Sequence, residues 1–180
     1  MINSYTSIII MKRAIIATVL AAVCCFNINA QETTASATPA AVSSSSAVPA
    51  RLQALSYITD TKPAADAEFY VYLSSASWCP PCRAIMPNIV AEYPAIKAAG
   101  GEIILLCCDR TPEAGRGYLK KYEAKFPTVM SDVRTMAGIG LPGLQVPRGI
   151  PSITIVTPAG ELIHAGHAAT LLNWKSILKK

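Results

Sequence analysis

Apolar and polar positions divide the chain into a short apolar run near the start, a polar low-complexity stretch, and a longer portion where apolar segments of strand and helix length alternate. In that last portion Glu68 to Ser74 is dense in aromatic and branched residues and predicts a buried strand. Cys79 to Ala99 carries Ile85, Ile89, Ala91, Tyr93 and Ile96 at mixed three- and four-residue spacings, which predicts a helix ended by Gly100-Gly101. Glu102 to Asp109 contains Ile103-Ile104-Leu105-Leu106, a run suited to a central strand covered on both faces. Thr111-Pro112-Glu113 supplies an N-cap and a first-turn proline, so a helix is expected through about Lys125. A short strand is expected at Thr128 to Met130. Ser152 to Thr157 and Glu161 to Ala165 flank Pro158-Ala159-Gly160 as a hairpin, and Thr170 to Lys180 reads as a closing helix.

The order strand, helix, strand, helix, hairpin, helix predicts an α/β three-layer sandwich. Parallel strands require helical crossovers and the hairpin adds antiparallel ones, so the central sheet is mixed with helices on both faces. Upstream, Lys12 and Arg13 directly precede Ala14 to Phe26, an uncharged apolar run, and Ile28-Asn29-Ala30 ends in a small residue. This is the pattern of a signal peptide over 1–30, cleaved after Ala30. The run is shorter than the roughly 17 to 25 residues that cross a bilayer as a helix, although an uncleaved segment would act as a membrane tether. Met11 by itself opens a well-formed signal, which leaves Met1 to Ile10 as an upstream start. Cys24 and Cys25 raise the alternative of lipidation, against which stand Val23 and the cysteine itself at the preceding position, where a small residue is wanted. Gln31 to Ala50 is almost wholly Ala, Ser, Thr and Pro with one charge, Glu32. Such a stretch buries too little to offset its ordering entropy and reads as a disordered linker, leaving 51–180 as the domain.

The whole chain has 16 basic and 11 acidic residues. Removing Lys12 and Arg13 leaves 14 against 11, a net of +3. Only Lys120-Lys121 and Lys179-Lys180 are adjacent, so no basic stripe points to nucleic acid. A monomer is expected.

Chemistry concentrates at Trp78-Cys79-Pro80-Pro81-Cys82-Arg83, where the first predicted strand hands over to the first long helix. A cysteine at a helix N-terminus meets unpaired N–H groups and the positive end of the dipole, which stabilise thiolate. Cys79 is therefore the expected nucleophile. Cys82, roughly one turn inside, can attack a mixed disulfide at Cys79 and is the expected resolving thiol. Pro80 and Pro81 stiffen the active-site loop at no cost in helix bonds, since first-turn N–H groups lack intrahelical partners. Two other readings stand beside this one. A zinc site would need a second pair, which adjacent Cys107-Cys108 is ill placed to supply, so no metal is expected. A purely structural disulfide across two residues would restrain the unfolded chain little.

From about Ala67 to Lys180 the chain resembles the thioredoxin superfamily. Ser75 to Arg83 looks especially like the tryparedoxin and nucleoredoxin branch, and is also similar to exported bacterial thiol:disulfide oxidoreductases. Pro87 stands where the family carries a kinking proline, and Gly149-Ile150-Pro151 matches its cis-proline motif. The resemblance implies that Pro151 faces the dithiol, that the Ile150 backbone pairs with an extended substrate, and that Trp78 covers the site with an apolar face. It implies no cofactor beyond the redox-active Cys79–Cys82 disulfide, and disulfide-containing client proteins as partners, together with a membrane electron donor if the protein works as a reductase. Gly160 fits the turn between the last strands. The expected function is dithiol-disulfide exchange outside the cytoplasm, as a periplasmic or secreted reductase. The alternatives are a reductant of apocytochrome c in cytochrome c maturation, and a redox-silent binding module that keeps only the fold.

One position departs from thioredoxins proper, which bury an acid six residues before the first cysteine; here it is Leu73. Glu68 and Asp109 lie near strand ends but, as isolated carboxylates, are expected to be solvated. Cys107 and Cys108 should point to opposite faces of a strand and be buried and inert. His164 and His167 are expected on the surface after the last strand. Gly138 to Arg148, rich in glycine and proline, runs into the proposed cis-proline and is expected to border the site and shape partner choice.

Overall fold

A computed structural model describes residues 47–179. The predicted signal segment and most of the predicted linker lie outside the described residues. The elements are α1 (Ala47–Gln53), β1 (Phe69–Ser75), α2 (Pro80–Ala98), β2 (Gly101–Cys107), α3 (Pro112–Tyr122), β3 (Thr128–Met130), β4 (Ser152–Val156), β5 (Leu162–His167) and α4 (Trp174–Ile177). They form one mixed five-stranded sheet in the order β3-β2-β1-β4-β5. β1, β2 and β3 run parallel, while β4 is antiparallel to both β1 and β5.

The placement of the helices follows from handedness. Two successive right-handed crossovers, β1 to β2 and β2 to β3, step in the same direction across the sheet, so α2 and α3 land on one face. Alternation along the strands then sorts the core into two halves. Val71, Leu73, Ile103, Leu105, Ile153 and Ile155 pack on that face with Met86 and Ile89 of α2 and Leu119 of α3. Tyr70, Tyr72, Ile104, Leu106 and Val156 pack on the other with Val48 and Leu52 of α1, and with Met136 and Leu141. All seven residues of β1 and of β2 are buried, as expected for strands covered on both sides.

Local signals set the caps and turns. Thr111 Oγ1 accepts the Ala114 N–H at 3.2 Å and caps α3. That helix ends at Tyr122, before the expected Lys125, because Glu123 turns into the left-handed region at φ 55°. Gly160, at φ +90°, closes the β4–β5 turn, and the site of a Cβ on Gly143 is occupied by the Gly160 carbonyl oxygen. These two glycines let the 138–148 segment lie directly on the hairpin.

Three expectations are corrected. Ala47 to Ala50, assigned to the linker by composition, form the first turn of α1, because Val48 and Leu52 are both fully buried. The closing helix is not one α-helix over Thr170 to Lys180: a 3₁₀ stretch, Ala168–Asn173, precedes the short α4. It is anchored by Trp174, whose ring stacks on Phe69 and whose Nε1 donates to Glu92 at 3.1 Å. β5 also continues through His167, so both histidines lie in the last strand.

Candidate active site

The chemistry gathers at one end of the sheet for a topological reason. The C-terminal ends of the parallel strands β1 and β2 share that end, and antiparallel β4 begins there, with Ser152 opposite Ser74. The chain leaving β1, the chain leaving β2 and the chain entering β4 therefore meet.

Cys79 is the N-cap of α2 and Pro80 opens the helix. The Cys79 sulfur accepts the Cys82 N–H at 3.3 Å, and the Cys79 carbonyl accepts the Arg83 N–H at 3.1 Å. Cys79 and Cys82 form a disulfide with Cα atoms 5.2 Å apart. Cys79 is 3% exposed and Cys82 is fully buried. An N–H already directed at the Cys79 sulfur, at the positive end of a helix, is the arrangement that favours a thiolate there once the disulfide is reduced.

The Ile150–Pro151 peptide bond is cis. The Ile150 carbonyl oxygen lies 3.7 Å from the Cys79 sulfur, and Pro151 is buried at the start of β4. Beside them runs an open groove lined by Val146, Arg148, Ile150, Pro151 and His167 among others. Trp78 is 58% exposed, yet its Nε1 donates to the Cys108 carbonyl at 3.0 Å, which fixes the ring at the edge of the site. The structure thus brings Trp78, Cys79, Pro80, Pro81, Cys82, Ile150 and Pro151 to one place.

The segment 138–148 is tied down at both ends. Arg51 of α1 donates to the Ile139 carbonyl through Nε at 2.8 Å and also through Nη2. Gln145 N–H reaches the Thr154 hydroxyl at 3.3 Å. Just beyond the second tie Val146 remains 49% exposed.

The remaining candidates separate cleanly. Leu73 is fully buried among apolar neighbours, so nothing ionisable stands at that position. Glu68 is exposed at the start of β1, the far end of the sheet from the cysteines. Asp109, expected to be solvated, is 6% exposed and bonded to Ser77, a contact that the sequence did not signal. His164 shares a hydrogen bond with Thr170 at 2.9 Å, and His167 Nδ1 accepts the Ala169 N–H. Among the described residues no group of three or more His, Cys, Asp or Glu is placed to hold a metal ion.

Cys107 and Cys108 point to opposite faces of the sheet and both are buried free thiols. Burial pushes Cys107 up to about 12; a backbone hydrogen bond at Asp109 opposes this, while the Asp109 carboxylate adds to it through a hydrogen bond and its charge. Burial also pushes Cys108 up to about 11, helped by Asp132 and Asp109. At pH 8 the thiolate fraction of either is on the order of a thousandth or less. Iodoacetamide treatment of the native protein at pH 8, followed by peptide mapping, is expected to leave both unlabelled until the chain is unfolded. Rapid labelling of either in the native protein would contradict this.

A five-stranded mixed sheet with a cysteine pair at the head of its first crossover helix defines a thioredoxin-like domain. The structure is similar to the thioredoxin domain of a thiol-disulfide oxidoreductase from Bacteroides vulgatus, with a TM-score of 0.52 over 64% of this chain and 81% of that one at 18% identity. The chain belongs to the AhpC/TSA family, whose profile matches residues 61–165. Among curated proteins it is 34% identical to nucleoredoxin of Mus musculus over 101 residues, 55% of this chain and 22% of that protein. It is 37% identical to the thiol-disulfide oxidoreductase ResA of Bacillus thuringiensis over 70 residues, 37% of this chain and 40% of that protein. The chain therefore spans only a minor part of the curated relatives it matches.

Proposed function

We propose that this protein is an exported thiol:disulfide oxidoreductase that reduces disulfides in protein clients. The observation that carries the reading is the Cys79–Cys82 disulfide at the N-cap of α2, with the Cys82 N–H on the Cys79 sulfur and the Ile150 carbonyl beside it. In the reduced protein the Cys79 thiolate attacks one sulfur of a client disulfide, forming a mixed disulfide and releasing the other client sulfur as thiolate. Cys82, as thiolate, then attacks the Cys79 sulfur. The second client thiolate leaves and the Cys79–Cys82 disulfide re-forms, so two electrons pass to the client and a separate donor must restore the dithiol. Ile150 and Pro151 offer an extended backbone for the client chain, Trp78 an apolar flank, and the 138–148 segment the surface that selects partners.

Export is supported by Lys12-Arg13 ahead of the apolar run Ala14 to Phe26. Among the described residues no helix is long and apolar enough to cross a membrane.

The test is the reduction potential of the Cys79/Cys82 couple, measured by equilibration in glutathione or dithiothreitol buffers. A value near the roughly −270 mV of thioredoxin is expected, whereas one near roughly −120 mV would make the protein a disulfide donor. A folded protein that exchanges with neither buffer would end the dithiol reading.

A further inference from the structure

We propose that Asp109 is a positioning residue for the nucleophile: its buried carboxylate locks Ser77, and through Ser77 the turn that delivers Cys79 to the head of α2. The inference rests on the dithiol chemistry proposed above.

The parallel pairing of β1 and β2 does not stop where the strands end. Ser75 pairs with Cys107, and the Cys108 N–H still donates to the Ser75 carbonyl at 2.8 Å. One step further the backbone pairing gives way to a side chain. Asp109 accepts the Ser77 N–H on both oxygens at 3.2 Å, and the Ser77 hydroxyl at 2.6 Å. The Cys107 thiol donates to it as well, at 3.3 Å. Among the described residues no cation pairs with Asp109, so its burial is offset by these donors alone. Two of its three donor groups belong to Ser77, which makes the carboxylate and the turn hold each other in place.

The rest of the turn is fixed to match. The Ser77 carbonyl accepts Arg83 Nη1 from α2 at 3.0 Å, so every polar group of Ser77 is engaged. Trp78 is tied to the Cys108 carbonyl, and the Cys79 N–H donates to the Ala76 carbonyl at 3.3 Å. Residues 77 and 78 are thus docked on 108 and 109, immediately before the nucleophile. The sulfur-to-N–H geometry at Cys79 depends on where that turn sits, so the stability of the dithiol relative to the disulfide depends on it too. Asp109 acts through Ser77, and nothing in its contacts makes it the counterpart of the acid absent at Leu73.

The test compares wild type with Asp109→Ala, Asp109→Asn and Ser77→Ala in the full chain. The readings are the redox equilibrium with glutathione, kcat and KM for insulin reduction, and the melting temperature. Asp109→Ala is expected to shift the equilibrium constant about threefold or more and to lower kcat about tenfold, with KM held within about twofold. Asp109→Asn, which keeps an acceptor for Ser77, should fall between. Adding Ser77→Ala to Asp109→Ala should cost less than its effect alone, because the two act as one unit. A change in melting temperature with the equilibrium constant and kcat unmoved would make Asp109 merely structural and overturn the proposal. If Asp109→Ala does not fold, unchanged equilibria in both Asp109→Asn and Ser77→Ala overturn it equally. An inert wild type would instead fail the proposed function, and the two failures are therefore distinct.

Discussion

Cys79→Ser is expected to lower kcat/KM for a disulfide-bonded client by about a thousandfold or more, whereas Cys82→Ser keeps the first exchange and loses the second. The asymmetry comes from access. Cys82 is fully buried on the first turn of α2, while Cys79 caps the helix next to the exposed Trp78 and the Ile150 carbonyl. Only Cys79 retains any surface through which a client sulfur can be approached. A serine at 79 replaces the thiolate with a hydroxyl that stays protonated at neutral pH, and no mixed disulfide forms. A serine at 82 leaves that attack intact but removes the sulfur that would displace the client. Cys82→Ser incubated with an oxidised client should therefore accumulate a covalent adduct, visible by non-reducing electrophoresis and mapped to Cys79 by mass spectrometry. Adducts mapped to Cys82 in Cys79→Ser, with none in Cys82→Ser, would reverse the roles.

How much of this was legible in the sequence depends on the range of each interaction. β1 is readable within one residue and β2 within two, because burial on both faces writes a continuous apolar run that needs no knowledge of the partner strand. The dithiol was readable because its chemistry is local: two cysteines, their spacing and a following helix suffice. Pro151 was readable only through resemblance, since nothing in Gly149-Ile150-Pro151 alone says that it returns to a cysteine 72 positions earlier. The burial of Asp109 is not legible for the same kind of reason. Its partner Ser77 is 32 residues away and is fixed by strand register, which an isolated carboxylate does not advertise. α1 was hidden by composition. In Ala47–Gln53 only Val48 and Leu52 mark an apolar stripe, and they gain their meaning from the sheet face beneath them. The interrupted C-terminal helix shows tertiary anchoring by Trp174 prevailing over local helical preference.

The pole of the sheet opposite the dithiol should carry the largest single contribution to stability from a polar residue, and Glu102→Ala is the way to measure it. Glu102 is 1% exposed within β2, where its neighbours in sequence suggested only an apolar strand. Its carboxylate accepts the Ala64 N–H at 2.8 Å, the Tyr93 hydroxyl at 2.7 Å and Lys97 Nζ at 2.9 Å. Burial, the bond to Glu102 and its negative charge all hold the Tyr93 phenol neutral far above its usual range. Removing the carboxylate leaves the Ala64 N–H and the Tyr93 hydroxyl, both on half-buried residues, short of the partner they now share. Lys97, whose side chain is 40% exposed, can return to solvent and should add little. Two stranded groups at roughly 1 to 3 kcal/mol each place the loss at about 3 kcal/mol. For a domain of this size that is a fall of roughly 10 °C in Tm. Glu102→Gln, which still offers an acceptor to one of the donors, should lose about 1 kcal/mol. Calorimetry on both variants gives the values. The Cys79/Cys82 equilibrium with glutathione should not move in either, because the network lies at the far end of the strands that carry the cysteines. A Glu102→Ala protein melting within a degree or two of wild type would mean that water replaces the carboxylate and that this pole is not a polar anchor.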